Sequence, residues 1–448
     1  MRLEPSRRTF LGTAGAAVGV AGLAPKRESG AFAAADAPRP KIAAITTVYH
    51  YLSHAYHIVG RFLDGFVLYD GRGLHHPSCD VSSLFIEQTP DETDLGRDKA
   101  KRHNVRLSST IADALTLGTG KLAVDAVLLI GEHGDYPLND KLQKLYPRGK
   151  MYRAIADVFR ASGRSVPVFN DKHLSYSRPE ALQMVETARE LRFPLMAGSS
   201  LPVTWRFPPL EIPLGLPMTG AVVASRGDIE IYGFHALETL QCMTERRDLK
   251  GKAQGVKAVT CLEGDAVWEA GDKGVWSWDL LGRAIGRSES RNPGDIKQNT
   301  RDYRPPFGRV GQTKLRHPIA FVVEYADGLR ASALILNGHV DDTTFAATIG
   351  GARPGVVSTL THLPAPPGAR FFDPLVLRIE EFFRTGKPPY PVERTLLTGG
   401  VLDAALESRI RAHRRIETPD LASIDYRPPA DSGFIRTPLT SPEPNPVG

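Results

Sequence analysis

The feature that most constrains the fold is an alternation of short apolar segments with amphipathic helical segments, which begins at Lys41. Such alternation is typical of a parallel β-sheet whose strands are joined by helical crossovers. Six strands are predicted within residues 38–200, in the order KIAAIT, FVLYD, VRLSS, DAVLLIG, VPVFND and FPLMAGSS. They predict a doubly wound α/β domain, a fold in which ligands lie beyond the carboxyl ends of the strands.

The pattern changes after Trp205. A proline-rich passage precedes long alternating strands with few helices between them, such as PIAFVVEYADG and LRASALILNGH. Strands in such a meander indicate an antiparallel sheet. Residues 201–424 are therefore predicted to form an α+β domain with a mainly antiparallel sheet. The proline-rich residues 425–448 are predicted to form an extended strap or a disordered tail.

Residues 1–37 predict an export signal. Arg7 and Arg8 precede a weakly apolar Gly/Ala run that ends in small residues suited to cleavage, the order of a twin-arginine signal peptide. We expect the twin-arginine export machinery to carry the folded chain to the periplasm or the extracellular space. Export of a folded chain favours a cofactor or metal acquired in the cytoplasm. No later segment has the roughly 18 uninterrupted apolar residues of a membrane span.

Charge and cysteine content exclude two further classes. The formal net charge is +6, and half of it lies in residues 1–35, so a nucleic-acid partner has no electrostatic support. Cys79, Cys242 and Cys261 are too few and too widely spaced for a disulfide scaffold. Export would permit one disulfide, with Cys242 to Cys261 closing the shortest loop.

The turn after the first predicted strand, TTVYHYLSHAYH, has no glycine. A Gly-x-Gly-x-x-Gly turn lets the backbone approach the pyrophosphate of a dinucleotide, so side chains here would crowd such a ligand. The turn carries His50, His54 and His57 instead, and the last two lie one helical turn apart. Ser53 is predicted to cap the following helix and Gly65 to end it.

Polar side chains also follow the fourth and fifth predicted strands. Glu132 and His133 come after the fourth, and Asp171, Lys172 and His173 come at the end of the fifth. Because the carboxyl ends of parallel strands meet at one edge of a sheet, we expect these groups and the histidines of the first turn to line one cleft. The long segment that begins at the fourth strand end is predicted to form a wall or lid over it.

Two uses fit such a cleft. Imidazoles from two turns can ligate a divalent metal, with His50, His54, His57 and His133 as the hypothetical ligands. Alternatively, the polar groups hydrogen-bond the hydroxyls of a sugar, and Lys172, its pKa lowered by desolvation, moves a proton. Each histidine taken singly can also be structural: His57 can pack inside its helix, and His50 can brace a turn.

Three motifs carry a resemblance to a known family: DAVLLIGEH, VPVFNDKHLSYSRPEALQMVETAREL and IYGFHALETL. In their order and spacing, residues 41–410 resemble the glucose-fructose oxidoreductase, inositol dehydrogenase and rhizopine catabolism (Gfo/Idh/MocA) family of nucleotide-dependent sugar oxidoreductases. The resemblance implies a Rossmann-like N-terminal domain that binds NAD(P). It places Lys172 at the catalytic lysine position and His235 at the acid/base histidine position, and Glu238 replaces the aspartate that follows.

Further site residues are predicted from the same resemblance and from their positions at the strand ends. Asp70, at the end of the second predicted strand, stands about where a carboxylate binds an adenosine ribose, and it is equally well explained as a turn residue in YDGRG. Glu132 and Asp171 are the other predicted cofactor-binding residues. His173 and Arg206 are predicted to bind substrate, although Arg206 could instead cap the junction between the domains.

The resemblance implies an oxidoreductase that acts on a carbohydrate or polyol, and a homo-oligomer formed through the second domain's sheet. The predicted export signal adds that such an enzyme would retain its nicotinamide nucleotide tightly. The chain departs from the family in its missing glycines, in Ile231, which replaces an aspartate, and in His173, which replaces a proline. Two alternatives therefore stay open. One is a metal-dependent, non-redox carbohydrate hydrolase, lyase or isomerase that uses the same cleft, and the other is a non-catalytic sugar-binding protein.

Overall fold

The structure is a computed structural model that describes residues 38–68, 73–301, 303, 317–350, 355–364 and 366–436. The chain divides after Pro38, and all described strands and helices lie in the compact unit Arg39–Gly448. The predicted signal, residues 1–37, and Asp70 lie outside the described residues.

The strands are β1 (Lys41–Thr46), β2 (Phe66–Val67), β3 (Leu74–His75), β4 (Asp80–Ile86), β5 (Arg106–Ser108), β6 (Ala126–Ile130), β7 (Val168–Asp171), β8 (Leu195–Gly198), β9 (Trp205–Phe207), β10 (Met218–Ser225), β11 (Val256–Glu263), β12 (Ile319–Tyr325), β13 (Arg330–Ile335), β14 (Thr343–Ile349), β15 (Gly355–His362) and β16 (Ile416–Glu417). The helices are α1 (His54–Asp64), α2 (Gly96–Arg102), α3 (Ile111–Thr116), α4 (Arg148–Ser162), α5 (Arg178–Glu190), α6 (Ile231–Thr244), α7 (Asp265–Asp272), α8 (Trp278–Ile285), α9 (Ile296–Arg301), α10 (Phe372–Thr385), α11 (Val392–Ile410) and α12 (Pro419–Ala422).

The first sheet has six parallel strands in the order β5-β4-β1-β6-β7-β8. This is the doubly wound order, and the direction of winding reverses between β1 and β6. Strand β6 has the sequence AVLLI and is buried along its whole length, as expected of a strand that is covered on both faces. The predicted α/β fold class is confirmed, and the topological switch point lies beside the turn that carries the histidines.

One predicted strand of this sheet is wrong. The described residues of the segment FVLYD contribute only β2, which pairs with β3 in a separate antiparallel ribbon. The second parallel strand is β4, with the sequence DVSSLFI. The two serines hid this strand, because they interrupt its apolar pattern. Ser83 is nevertheless buried, since its hydroxyl donates to the carbonyl of Ala114. The carboxylate that follows the second parallel strand is therefore that of Glu87.

Helix α1 begins and ends as predicted. The Ser53 side chain accepts a hydrogen bond from the backbone N–H of Tyr56, and Gly65 ends the helix with a φ of 76°. The apolar face of the helix packs against the first sheet, where Ile58 is fully buried. This cap fixes the position of His54, the first residue of the helix, at the carboxyl edge of the sheet.

Among the described residues, the second sheet has eight strands in the order β16-β11-β12-β13-β10-β14-β15-β9, and only β10 and β13 are parallel neighbours. Residues of α6 and α11 pack on one face, and residues of α7 and α8 pack on the other. The mainly antiparallel second sheet is confirmed. Helix α10, although late in the chain, packs against α1 in the core of the first sheet.

Residues 425–436 form a packed strap. The Gln241 amide donates to the hydroxyl of Tyr426 over 2.7 Å, and the Arg206 guanidinium lies 4.3 Å from the centroid of the Phe434 ring. The three cysteines are free and buried. None of the helices in the described ranges is long and apolar enough to cross a membrane.

Candidate functional site

The predicted polar groups meet at the carboxyl ends of β1, β6 and β7. The Nδ1 atom of His54 lies 2.6 Å from Oδ2 of Asp171, and Nζ of Lys172 lies 2.9 Å from Oε2 of Glu132. The Thr47 hydroxyl donates to the carbonyl of Glu132 over 2.7 Å. This bond joins the turn after β1 to the end of β6. Residues from three separate segments therefore form one cluster, as the strand-end argument predicts.

A buried charge network lies at the centre of this cluster. Glu132 pairs with both Lys172 and Arg148, and all three side chains are 5% exposed or less. Burial alone would raise the pKa of Glu132, but the two cations together hold it well below its ordinary value. Burial alone would lower the pKa of Lys172, but Glu132 and Asp171 raise it above the ordinary value. The expectation of a lowered lysine pKa is thus wrong, because anions surround the ammonium group.

The His54–Asp171 pair borders this network. The Asp171 side chain is 1% exposed and that of His54 is 15% exposed, so the imidazole is the member that solvent can reach. A carboxylate only accepts hydrogen bonds, which assigns the proton of this contact to Nδ1 and leaves a lone pair on Nε2. The second oxygen of Asp171, Oδ1, is buried and has no hydrogen-bond partner among the described atoms.

His133 lies against the amino terminus of α1. Its φ of 65° is left-handed, and its Nδ1 atom accepts a hydrogen bond of 3.4 Å from the backbone N–H of His54. Its ring centroid lies 5.2 Å from that of His54 and 5.5 Å from that of His50. Burial keeps the pKa of His133 well below its ordinary value, so the ring is neutral.

Further N–H groups at the start of α1 are also engaged. The N–H groups of Tyr56 and His57 bond to the Ser53 hydroxyl and carbonyl over 3.1 and 3.0 Å. The N–H of Ser53 bonds to the His50 carbonyl over 3.0 Å. The helix terminus that holds a phosphate in dinucleotide-binding folds is thus capped by the chain's own groups.

The four histidines of the metal hypothesis do not point at one centre. The His57 ring stacks on Phe372 at 4.8 Å, and burial together with the neighbouring Arg61 charge lowers its pKa to about 3. The Nδ1 atom of His50 lies 2.9 Å from the carbonyl of Tyr51. Within the described ranges, no group of three or more His, Cys, Asp or Glu side chains is arranged to hold a metal ion.

The two predicted substrate-binding residues are engaged within the protein. Buried His173 bonds to Glu230 through Nε2 at 3.0 Å, and its Nδ1 lies 3.4 Å from an Arg148 nitrogen. Arg206 is 2% exposed and donates to the carbonyls of Leu210 and Pro202. Arg206 therefore has the structural role that was the alternative to substrate binding, at the junction between the domains.

His235 and Glu238 approach the site from α6. His235 Nδ1 lies 3.0 Å from Oγ of Ser199, and the Ser199 hydroxyl donates to Glu238. Burial raises the pKa of Glu238 to about 7. Burial holds the pKa of His235 well below its ordinary value, and the charge of Lys172 lowers it further.

Four polar residues of the site lack a predicted role: Glu87, Arg148, Ser199 and Tyr146. Glu87 follows β4 and accepts a hydrogen bond of 2.6 Å from Tyr136. Tyr146 is buried beneath the Arg148 guanidinium, 4.8 Å from its ring centroid, and belongs to the loop that forms the predicted wall. Correct placement of β4 would have identified Glu87, whereas no sequence signal marks Arg148, Ser199 or Tyr146.

No family model matches the chain, and no curated protein matches it. Among solved structures, it is similar to GenD2 from gentamicin A biosynthesis in complex with NAD, with 14% identity, a TM-score of 0.50 and coverage of 85% of this chain and 97% of that one. It is also similar to a putative myo-inositol dehydrogenase from Sinorhizobium meliloti 1021, with 12% identity, a TM-score of 0.50 and coverage of 84% and 99%. At these identities the likeness shows a shared fold that extends through both sheets.

Proposed function

We propose that this chain is an exported enzyme of the Gfo/Idh/MocA type that acts on a carbohydrate or polyol. The observation that carries the proposal is the hydrogen bond of 2.6 Å between His54 and Asp171 at the carboxyl edge of the first sheet. The fold shared with an NAD-bound protein and with a putative inositol dehydrogenase supports the scaffold. Lys172, His235 and Glu238, which the sequence resemblance marks as catalytic, border the same cluster.

In the proposed reaction, His54 is the general base. Asp171 holds the proton of the pair on Nδ1, so Nε2 can remove a proton from a substrate hydroxyl. The buried Asp171 carboxylate then stabilises the imidazolium that forms. Lys172, which Glu132 keeps charged, contributes a fixed positive charge that favours the resulting oxyanion.

A nicotinamide dinucleotide bound in the usual way does not fit this site. The pyrophosphate would need the backbone N–H groups at the start of α1, but His133 and Ser53 already accept hydrogen bonds from that turn. The preceding residues Thr47, Val48 and Tyr49 are buried side chains where close backbone approach requires glycine. No hydride step is therefore derived for this chain.

Two reaction classes share the proton removal. We propose an oxidoreductase first, because the scaffold and the similar solved structures favour it. Such an enzyme would have to bind its nucleotide elsewhere than at the amino terminus of α1. The second candidate is a non-redox carbohydrate lyase or isomerase. The His133 ring at the α1 terminus specifically favours this second class, because it occupies the place of the phosphate.

Release of bound cofactors separates the two classes. The purified protein is denatured, and the released material is assayed for nicotinamide nucleotides and for metals. Stoichiometric nucleotide would support the oxidoreductase and exclude the second candidate. Turnover of a polyol or sugar without any bound nucleotide would support the lyase or isomerase. Absence of both nucleotide and turnover across a panel of carbohydrates would contradict the proposed enzyme and favour a binding protein.

A matched pair of variants tests the base. His54→Phe should lower turnover by about 10²- to 10⁴-fold, the usual contribution of a general base. His57→Phe, one helical turn further along α1, should keep turnover, because the contacts of the His57 ring are with Phe372, Tyr56 and Arg61 and not with Asp171. Equal losses in both variants would show that the helix, and not the base, was damaged.

Export is tested separately. Residues 1–37 are fused to a reporter that needs the twin-arginine machinery to leave the cytoplasm. Replacement of Arg7 and Arg8 by lysine should retain the reporter in the cytoplasm. Export that persists in this variant would contradict the proposed signal.

A further inference from the structure

His235, Ser199 and Glu238 form a continuous hydrogen-bonded chain. The Ser199 hydroxyl donates to Oε2 of Glu238, and Oγ of Ser199 lies 3.0 Å from Nδ1 of His235. A hydroxyl has a single proton to donate, so while it donates to Glu238 it can only accept from His235. This arrangement requires the proton of His235 to be on Nδ1.

The hydrogen-bonded chain runs from a side chain that solvent can reach, His235, to one that is fully buried, Glu238. Glu238 is 0% exposed and Ser199 is 3% exposed, whereas His235 is partly exposed. The Ser199 backbone N–H also bonds to both carboxylate oxygens of Glu238, over 3.2 and 3.1 Å. A Cβ atom at Gly198 would lie 2.5 Å from Oε1 of Glu238, so the glycine permits this close approach.

We infer that Glu238 is a positioning residue that stores a proton for His235 and passes it through Ser199. Its role in turnover rests on the proposed function, because His235 would exchange a proton with a hydroxyl of that substrate other than the one that His54 deprotonates. The hydrogen-bonded chain itself does not depend on the identity of the substrate.

The proton step balances without a further reactant. Nε2 of His235 takes the proton of a substrate hydroxyl while Nδ1 gives its own proton to Ser199, and Ser199 gives its hydroxyl proton to Glu238. The substrate oxygen gains one negative charge and the Glu238 carboxylate loses one, with His235 neutral before and after. The reverse transfer returns the proton and makes His235 an acid.

The surroundings allow Glu238 to change its protonation near neutral pH. Burial raises its pKa to about 7, Ser199 and Arg394 oppose this rise, and Asp171 adds to it. The pKa of His235 stays well below its ordinary value, so the ring remains neutral in this range. The titratable and charged groups that face the chain from neighbouring elements are Arg394, Tyr390, Cys242, Asp171, Lys172, His54, Glu132 and Arg226.

The two protonation states of Glu238 have different consequences for His235. Above about pH 7, the carboxylate accepts from Ser199, and His235 carries its proton on Nδ1. Below about pH 7, protonated Glu238 donates to Ser199, the hydroxyl turns to donate to Nδ1, and the ring proton moves to Nε2. His235 therefore changes tautomer without changing charge.

Imidazole nitrogen NMR of the full-length, ¹⁵N-histidine-labelled protein tests this inference without any substrate. The His235 signals, assigned by their loss in His235→Gln, should change from the Nε2–H to the Nδ1–H pattern as pH rises through about 7. The change should disappear in both Glu238→Gln and Ser199→Ala. A single tautomer at every pH, or a change that persists in either variant, would overturn the inference.

Controls separate a relay from general damage. Thr239→Val alters a buried side chain beside Glu238 that has no hydrogen-bond partner among the described atoms, and it should keep the tautomer change. If Glu238→Gln does not fold, the infrared carbonyl band of protonated Glu238 in the unaltered protein should fade as pH rises through about 7. Lack of turnover on carbohydrates with the tautomer change intact would contradict the proposed function and leave the relay in place.

Discussion

The Glu132–Lys172 pair offers the sharpest test of how the site is held together. At an effective dielectric constant of about 20, unit charges separated by their distance of 2.9 Å attract each other by about 6 kcal/mol, and desolvation offsets part of this. Glu132→Gln keeps the shape of the side chain but leaves Lys172 and Arg148 without their anion. We expect the free energy of unfolding at pH 7 to fall by about 3 to 5 kcal/mol, measured by urea denaturation.

The pH dependence identifies which cation is responsible. In the wild type, the raised pKa of Lys172 means that its stabilising contribution is present below the ordinary lysine pKa and is lost as pH rises through the folded value. In Glu132→Gln, Lys172 stays buried without its nearest anion, so its pKa falls and it loses its proton at a lower pH. The folded variant then binds fewer protons than the unfolded chain, so the difference in unfolding free energy between wild type and variant narrows as pH rises from about 7 toward the ordinary lysine pKa.

A second buried pair supplies the matched control. Glu245 and Arg394 are fully buried and 2.5 Å apart, and an arginine does not lose its proton in this range. The loss of unfolding free energy in Glu245→Gln, relative to the wild type, should therefore stay constant with pH, while the loss in Glu132→Gln becomes smaller as pH rises. A loss below about 0.5 kcal/mol, or parallel pH profiles for the two variants, would refute the assignment of a charged, anion-held Lys172.

Three further predictions concern stability. The folded-state pKa of Glu238 is raised from 4.5 to about 7, so the folded protein keeps a proton that the unfolded chain loses in this interval. The unfolding free energy of the wild type should therefore fall by about 3 kcal/mol as pH rises from 4.5 to about 7. Urea denaturation at a series of pH values should show no such fall for Glu238→Gln. Gly198→Ala should lower the unfolding free energy by about 2 kcal/mol or more, because φ there is +132° and the added Cβ would lie 2.5 Å from Glu238 Oε1 and 2.9 Å from the Tyr390 hydroxyl. His57 has a pKa lowered to about 3, so stability should fall by about 2 kcal/mol, after allowance for solvent screening, as pH drops from 6.5 toward 3, and thermal melts of His57→Phe should not show this fall.

The fold could be predicted where burial leaves a simple trace in the sequence. A strand covered on both faces must be apolar throughout, so the sequence of β6 identifies it directly. Strand β4 escaped because Ser83 satisfies its hydroxyl inside the core, which no periodicity records. The contact of α10 with α1 joins segments about 300 residues apart, and local patterns carry no information about such pairing.

The site could be predicted only as far as strand topology fixes it. The convergence of His54 with Asp171 and of Glu132 with Lys172 follows from the rule that parallel strands end at one edge. The partners of single side chains do not follow from it. Arg148 begins α4 and pairs with Glu132, a contact that no local pattern records. The pKa of Lys172 is raised, against the predicted direction, because Glu132 and Asp171 face its ammonium group.

The charge balance of the cluster bears on what can bind there. The carboxylates of Glu132 and Asp171 are matched by the cations of Arg148 and Lys172, and the depressed pKa of His133 keeps that ring neutral. A pyrophosphate would add negative charge beside a helix terminus where the N–H groups of His54 and Tyr56 are already engaged. Within the described residues, both cations of this cluster are already paired with its carboxylates. A polyol or sugar hydroxyl brings no net charge and requires only a hydrogen-bond partner. Nε2 of His54 is such a partner, because Asp171 holds the ring proton on Nδ1. The same electrostatics that exclude a phosphate at α1 therefore favour a neutral, hydroxyl-rich substrate in its place.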